Sequence, residues 1–295
     1  MRSDPYAMRQ HDFDQIRQMV YEFCGVDLHG KQMLVGTRLA KKVRQLGFPS
    51  FEAYCAEVKR NPSGELFTSM IDALTTNHTS FFREEAHFTF LRDVILPELS
   101  SSAKISIWSS ACSTGEEPYT IAFSLIDALG DEAFSRVSIL ATDISTRVLE
   151  QAQRGIYPSS HLQQQLSPTV LRRCLLRGIG QYENHCMVKP EVRAMVNFGQ
   201  FNLLDDCSSV GPFEIIFCRN VMIYFDRSTQ QNVVNKLAAR LAPGGYLLIG
   251  HSESLNGIEH PLLYVRPATY RKSGSARAVA RSSSTTMSGR RDERW

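Results

Sequence analysis

Two adjacent glutamates open a helix directly after a glycine turn in the stretch KISIWSSACSTGEEPYTIA, residues 104–122. A short apolar strand runs into a small-residue turn, and Glu116, Glu117 and Pro118 then begin the helix. Proline belongs in a first helical turn, where its missing N–H leaves no bond unmade. Strand, tight turn and helix in that order build the nucleotide crevice of doubly wound α/β sheets. A phosphate would call for bare backbone N–H groups at such a helix start. Two carboxylates point instead to a nucleoside ligand bearing positive charge, and the sulfonium and amine of S-adenosylmethionine fit that description. The lining of the crevice is therefore expected to be negative.

A second strand ends in ATDIS, with Asp143 at the edge where such a sheet meets its crevice. An acidic residue there accepts hydrogen bonds from ribose hydroxyls. Aspartate also caps helices, and one starts near Thr146; the glutamate-bearing turn one strand earlier favours the ribose role. The run FEIIFCRNVMIYFD drives a strand through the sheet and leaves Arg219 and Asn220 at its C-terminal edge, where α/β sheets bind ligands. Asn220 is placed to read the cofactor there. Tyr224 either lines the path of the methyl group or forms an amphipathic wall. FNLLDD (201–206) is a similar edge, where backbone groups could hold adenine. Two look-alikes fail. GHSES (250–254) resembles a nucleophile elbow but has Ser254 where that motif needs glycine, and GIGQYE has Glu183 in place of the third glycine of a dinucleotide fingerprint. His78, His87, His161, His185 and His251 show no metal-ligand spacing, and no metal is expected.

These residues need a scaffold. At 295 residues the chain suffices for two modest domains or one large domain with an insertion. No apolar run reaches membrane-spanning length and the N-terminus lacks a signal-peptide core, so a cytoplasmic protein without membrane insertion is expected. Seven scattered cysteines without a CxxC pair read as reduced thiols. The net charge of +3 hides a division, because seven basic and two acidic residues fall from Arg271 on and leave residues 1–270 at −2. Such a body does not make a nucleic-acid-binding surface.

Residues 1–75 read as helical. Phe13, Ile16, Val20 and Phe23 form one stripe and Val35, Leu39, Val43 and Leu46 another, and 51–59 and 64–74 complete a small bundle. Lys31, Arg38, Lys41 and Lys42 flank the second stripe, and no acidic residue lies between Asp27 and Glu52. The plain reading is a solvated face; the sharper one is a basic helix that docks on an acidic partner helix. Next comes a helix to about Leu96 that stops at Pro97. Strands at 104–109, 137–142, 195–201, 213–218 and 246–249 then alternate with helices at 118–129, 146–153 and 228–241, and a hairpin closes through 262–270. That rhythm argues for a parallel sheet with right-handed crossovers. The irregular block at 155–195 reads as a small insertion, and the Ser/Arg-rich tail at 273–295 as disordered.

Six segments in this order, TTNHTSFFRE, WSSACSTGEEPYTIA, ATDIS, FNLLDD, FCRNVMIYF and LAPGGYLLIGHSES, resemble the chemotaxis receptor methyltransferases (the CheR family) across nearly all of residues 10–270. The resemblance implies S-adenosylmethionine-dependent methyl esterification of glutamate side chains on methyl-accepting chemotaxis receptors, with S-adenosylhomocysteine as product, by a cytoplasmic monomer. It implies a receptor-docking helical domain at 1–75 and a Rossmann-like α/β methyltransferase domain at 76–272 carrying a small β-subdomain. Carried over residue by residue, the cofactor contacts are Asn77, Thr79, Arg83, Glu117, Asp143, Asn202, Leu203, Asn220 and Val221. Arg83 then orients the acceptor carboxylate or the cofactor, and Tyr224 lines the transfer path. In some members the β-subdomain grips a pentapeptide at the receptor's C-terminus with a Gly-rich loop. Here that loop is 177–185, with Gly178 and Gly180 present and Asn184 where a further glycine is expected. The basic tail lies outside the family pattern. A receptor-binding adaptor without turnover and a small-molecule carboxyl methyltransferase are the competing readings. The intact acidic turn, Asp143 and the Arg83 segment weigh against the adaptor, and the basic helix is left unexplained by a small substrate.

Overall fold

The computed structural model describes residues 6–62, 64–162 and 165–274; the expected disordered tail lies, from residue 275 on, outside the described residues. Four helices come first: α1 (Gln10–Cys24), α2 (Gln32–Gln45), α3 (Phe51–Arg60) and α4 (Glu65–Leu74). They enclose a core of their own, in which Phe13, Ile16, Val20, Val35, Leu39 and Val43 are buried as the helical spacing requires. Both stripes end early. Phe23 is part-exposed with its ring edge-on to Phe67, and Leu46 lies past the end of α2, half in solvent.

The next helix differs from expectation. α5 (Ala86–Phe90) passes through a π-turn at Leu91–Ile95 and continues as α6 (Leu96–Glu98), with Pro97 in its first turn rather than beyond a stop. The alternating part then runs β1 (Ile105–Ser109), α7 (Glu116–Leu129), α8 (Glu132–Arg136), β2 (Val137–Asp143) and α9 (Thr146–Arg154). The insertion holds β3 (Ile156–Pro158), α10 (Pro168–Cys174), β4 (Leu175–Arg177) and β5 (His185–Val188), followed by α11 (Pro190–Arg193). β6 (Val196–Gln200), β7 (Phe213–Cys218), α12 (Arg227–Arg240), β8 (Leu241–Ile249), β9 (Leu262–Arg266) and β10 (Thr269–Lys272) complete the chain.

The main sheet has the order β6-β2-β1-β7-β8-β10-β9, parallel from β6 to β8, with the β9–β10 hairpin antiparallel at one edge. Strand order reverses at β1, which pairs with β2 on one side and β7 on the other. A crevice must open there, because the connections leave to opposite faces. The insertion is a separate antiparallel sheet, β3-β5-β4. Trp108 fills the sheet beneath the crevice, fully buried, with Nε1 donating to Thr142 Oγ1 at 2.9 Å. All seven cysteines are free and buried. Among the described residues no helix is long and apolar enough to cross a membrane.

Candidate active site

Above the C-terminal ends of β1, β2 and β7 lies a cleft open to solvent at its mouth. Its floor is Ser110, Ala111 and Ser113 of the β1 turn, and Phe201 and Leu203 form one side. The helical bundle closes the other side with Cys24, Val26, Leu28 and Leu74. Hydrogen bonds and one β-bridge seat the bundle there, Tyr21 Oη donating to Asp226 Oδ2 at 2.5 Å among them. Asn202 Nδ2 donates to Phe23 O at 2.6 Å, Asp27 N donates to Tyr224 O at 2.8 Å, and Val26 pairs with Phe225.

Beneath the cleft a buried guanidinium organises the charges. Arg219, 5% exposed, donates from Nη1 to Glu117 at 2.8 Å and from Nη2 to Glu84 at 3.0 Å and to the Arg83 carbonyl. Its Cζ lies 5.5 Å from the centre of the Phe88 ring. Glu117 also accepts from Ser109 Oγ at 2.7 Å, and Glu84 from Asn220 Nδ2 at 3.1 Å. Burial alone would raise the Glu84 carboxyl; Arg219, the Asn220 amide and the His251 backbone N–H together hold it below its usual range. Four non-glycine residues around this junction have positive φ: Phe82, Glu84, Ser113 and Asn220. Such backbone is costly and persists only where surrounding bonds over-determine it, as at ligand sites.

The expected negative lining is not what the fold builds. Glu116 is buried outside the cleft and accepts from Thr114 Oγ1 at 2.6 Å. Glu117 faces the cleft already paired with Arg219. Lys31, Arg83 and Arg219 border the space together with Glu117 and Asp143, and Glu84 stands just behind, so the two signs balance. A balanced lining suits a zwitterion, and S-adenosylmethionine carries a carboxylate as well as its sulfonium and amine. One buried donor, Arg219 Nε, has no partner among the described residues. The residues present therefore fit the cofactor.

All nine residues assigned to the cofactor border this cleft, as does Tyr224. Asp143 does not cap α9; Ser145 does, accepting from Val148 N. The Asp143 carboxylate instead ties two turns together, accepting from Ser113 N at 2.8 Å and Ser145 N at 3.0 Å. Burial raises its pKa against the pull of those N–H groups. Asn77 O accepts from Ser113 Oγ at 3.0 Å, which pins the segment carrying Thr79 over the β1 turn. Arg83 donates from Nη1 to His78 O at 2.8 Å and bends along that segment. Leu203 and Val221 supply apolar wall.

The docking candidates divide. Lys31 borders the cleft, its Nζ 5.7 Å from the centre of the Tyr224 ring. Lys41 is exposed. Arg38 and Lys42 are turned toward α4, Arg38 Nη1 donating to Leu74 O at its C-terminal end at 2.7 Å and Lys42 Nζ to Ser69 O in its middle at 2.6 Å. Half of the basic stripe thus holds α4. Gly178 and Gly180 do not line the cleft and sit in the turn between β4 and β5. Gly178 N donates to His185 O at 2.9 Å, and a Cβ on Gly178 would lie 1.9 Å from Tyr182 O.

The fold also joins histidines that the sequence keeps apart. Glu84, His87 and His251 bring one ligand atom each within 4.8 Å. The carboxylate is already matched by Arg219, and a metal ion would meet that guanidinium. His87 is buried with neither ring nitrogen bonded, and burial lowers its pKa to about 3. It stays neutral.

Sequence reasoning placed Arg219 at the sheet edge without a role and passed over Glu84, although both stand inside quoted motifs. The bundle wall at 24–28 carries no motif at all and was not foreseen. Known proteins match this organisation. The family description "CheR methyltransferase, SAM binding domain" fits residues 77–270, and "CheR methyltransferase, all-alpha domain" fits residues 11–75. Chemotaxis protein methyltransferase 2 of Pseudomonas aeruginosa is 41% identical over 264 residues, 88% of this chain and 92% of its own. The chemotaxis protein methyltransferase of Klebsiella aerogenes is 42% identical over 259 residues, 87% of each chain. That of Escherichia coli is 41% identical over 255 residues, 86% of this chain and 87% of its own.

Proposed function

Because the chain belongs to the CheR family and is an S-adenosylmethionine-dependent methyltransferase acting on chemoreceptors, we propose that the residues around the cleft carry out methyl transfer to receptor glutamates as follows. The observation that carries the reading is the convergence of every assigned cofactor residue on one cleft at the switch point. When bound, the cofactor supplies an electrophilic methyl group on its sulfonium. Asp143 and Asn202 would hold its nucleoside, and Glu117, Asn220 and Val221 border the same cleft.

The acceptor needs no general base. A glutamate carboxyl with a pKa of ~4.3 is already ionised at neutral pH. Rate then depends on positioning and on removing water from the oxygen nucleophile. Arg83 steers a carboxylate at the mouth of the cleft, and Tyr224, with Lys31 beside its ring, lines the path. A tight Arg–carboxylate pair would stabilise the ground state as well as the transition state, so a loose contact serves better. Lys31 and Lys41 belong to the receptor-facing side, with Arg38 and Lys42 setting the shape of that helix pair. The open edge of β4 beside Gly178 and Gly180 is the place for a receptor's C-terminal pentapeptide, added as a strand. We take the enzyme to work as a cytoplasmic monomer.

Radiolabelled methyl transfer to receptor-containing membranes, with a base-labile product, tests the reaction. Arg83→Ala and Tyr224→Phe are expected to lower kcat by about tenfold or more while S-adenosylhomocysteine still binds. Wild-type kcat in both variants sinks the assigned roles.

A further inference from the structure

The strongest feature not used by this mechanism is a single carboxylate on the loop after β8. Glu253 accepts four backbone N–H groups. Oε2 takes Gly250 N at 2.6 Å and Asn220 N at 2.9 Å, and Oε1 takes Met222 N at 2.8 Å and Ile223 N at 3.3 Å. Three of those donors belong to the segment that follows β7, and Val221 and Tyr224 of that segment border the cleft. Glu253 itself does not border it. Its carboxylate therefore ties one sheet-edge loop to the next from behind the site.

Asn220 stands at the centre of this tie. Its backbone is left-handed, φ +57°, which an unassisted chain rarely holds. Its side chain donates to Glu84, and Glu84 is held by Arg219, which also holds Glu117. A continuous run of polar contacts thus joins the β8 loop to the start of α7. The neighbouring glycine has a matching requirement, since a Cβ at Gly250 would lie 2.4 Å from Asn220 Nδ2 and 2.9 Å from Glu253 Oε2. GHSES, set aside as a failed nucleophile elbow, has this purpose: glycine makes the room and glutamate makes the bonds.

We infer that Glu253 is a positioning residue for the methyl-transfer site, holding Asn220 in the conformation that meets the cofactor. The inference rests on the assignment of Asn220 as a cofactor contact. Glutamine at 253 keeps the volume but leaves one acceptor oxygen and sets an NH₂ donor against two backbone N–H donors.

The test is titration calorimetry with S-adenosylhomocysteine on the full chain, for wild type, Glu253→Gln, Asn220→Ala and the double variant, with unfolding followed in parallel. Glu253→Gln is expected to weaken binding by about tenfold or more, as loss of hydrogen bonds to a charged acceptor implies. The double variant should bind about as weakly as Asn220→Ala alone, because both changes remove one contact. Receptor KM should stay near wild type while the KM for the donor rises. If Asn220→Ala weakens binding and Glu253→Gln stays within about twofold of wild type, the inference is overturned and the assignment of Asn220 stands. Losses that simply add in the double variant overturn it as well. Unchanged affinity in Asn220→Ala overturns the assignment and the inference together. Should Glu253→Gln not fold, the same comparison is made with Glu253→Asp, which keeps the charge one methylene short of the four donors.

Discussion

Arg219 carries a full charge where water scarcely reaches, and Glu84 and Glu117 make that tolerable. Two carboxylates share one guanidinium, so removing Arg219 would leave both unmatched, and the three act as a unit. His87 lies against the same junction and contributes differently. Its pKa falls to about 3, first because of burial and then because of Arg219. The unfolded chain takes up the proton near pH 6.5 and the folded chain does not. Stability present above pH 6.5 is therefore lost as pH falls toward 3. Between pH 6.5 and 5 the loss is about 2 kcal/mol, from 1.36 kcal/mol per unit. Denaturant titrations of wild type and His87→Gln should show that part of the slope missing in the variant. Equal slopes would show that His87 is not the group responsible.

Among the elements, the turn between β1 and α7 depends most on one residue. Gly115 has φ +95°, and a Cβ there would lie 2.7 Å from Tyr157 Oη and 2.8 Å from Ala152 Cβ. Gly115→Ala is expected to cost about 2–4 kcal/mol by strain and crowding together, read from denaturation midpoints, with weaker cofactor binding as the turn shifts. A loss below about 0.5 kcal/mol would mean that the turn relaxes freely. This turn was legible in the sequence because glycine, proline and paired acids mark a helix start by type alone. The βα alternation was legible for a similar reason, since each strand is a short apolar run bounded by breakers. The π-turn at Leu91–Ile95 was not, because its side chains keep a helical apolar pattern and only the backbone register slips. Nor was the inward use of Arg38 and Lys42. A basic residue facing solvent and one reaching a neighbouring helix's carbonyls look alike until α4 is placed beside α2.

Across the whole molecule, the cleft is walled by both parts of the chain, with Leu28 and Leu74 on one side and Phe201 and Val221 on the other. The crevice of the sheet was foreseeable from the strand, turn and helix at 104–122; the bundle's wall was not, because it arises only when the two cores meet. A ligand held between two walls stabilises both. S-adenosylhomocysteine at about one hundred times its Kd should add about 2.7 kcal/mol, and amide exchange should slow in α1 and α4 as well as in β7. Slowing confined to the sheet would mean that the bundle does not share the ligand. The seven cysteines bear on how such experiments can be run. Every native thiol is buried, Cys24 in the wall of the cleft, and burial lifts most of them out of the reactive range, Cys24 to about 11 and Cys55 to about 12. Toward a maleimide dye the folded chain is then nearly blank. One cysteine introduced on the outer face of α2 would accept a fluorophore alone, and a receptor fragment arriving there could be watched without first stripping the chain of its own sulfur.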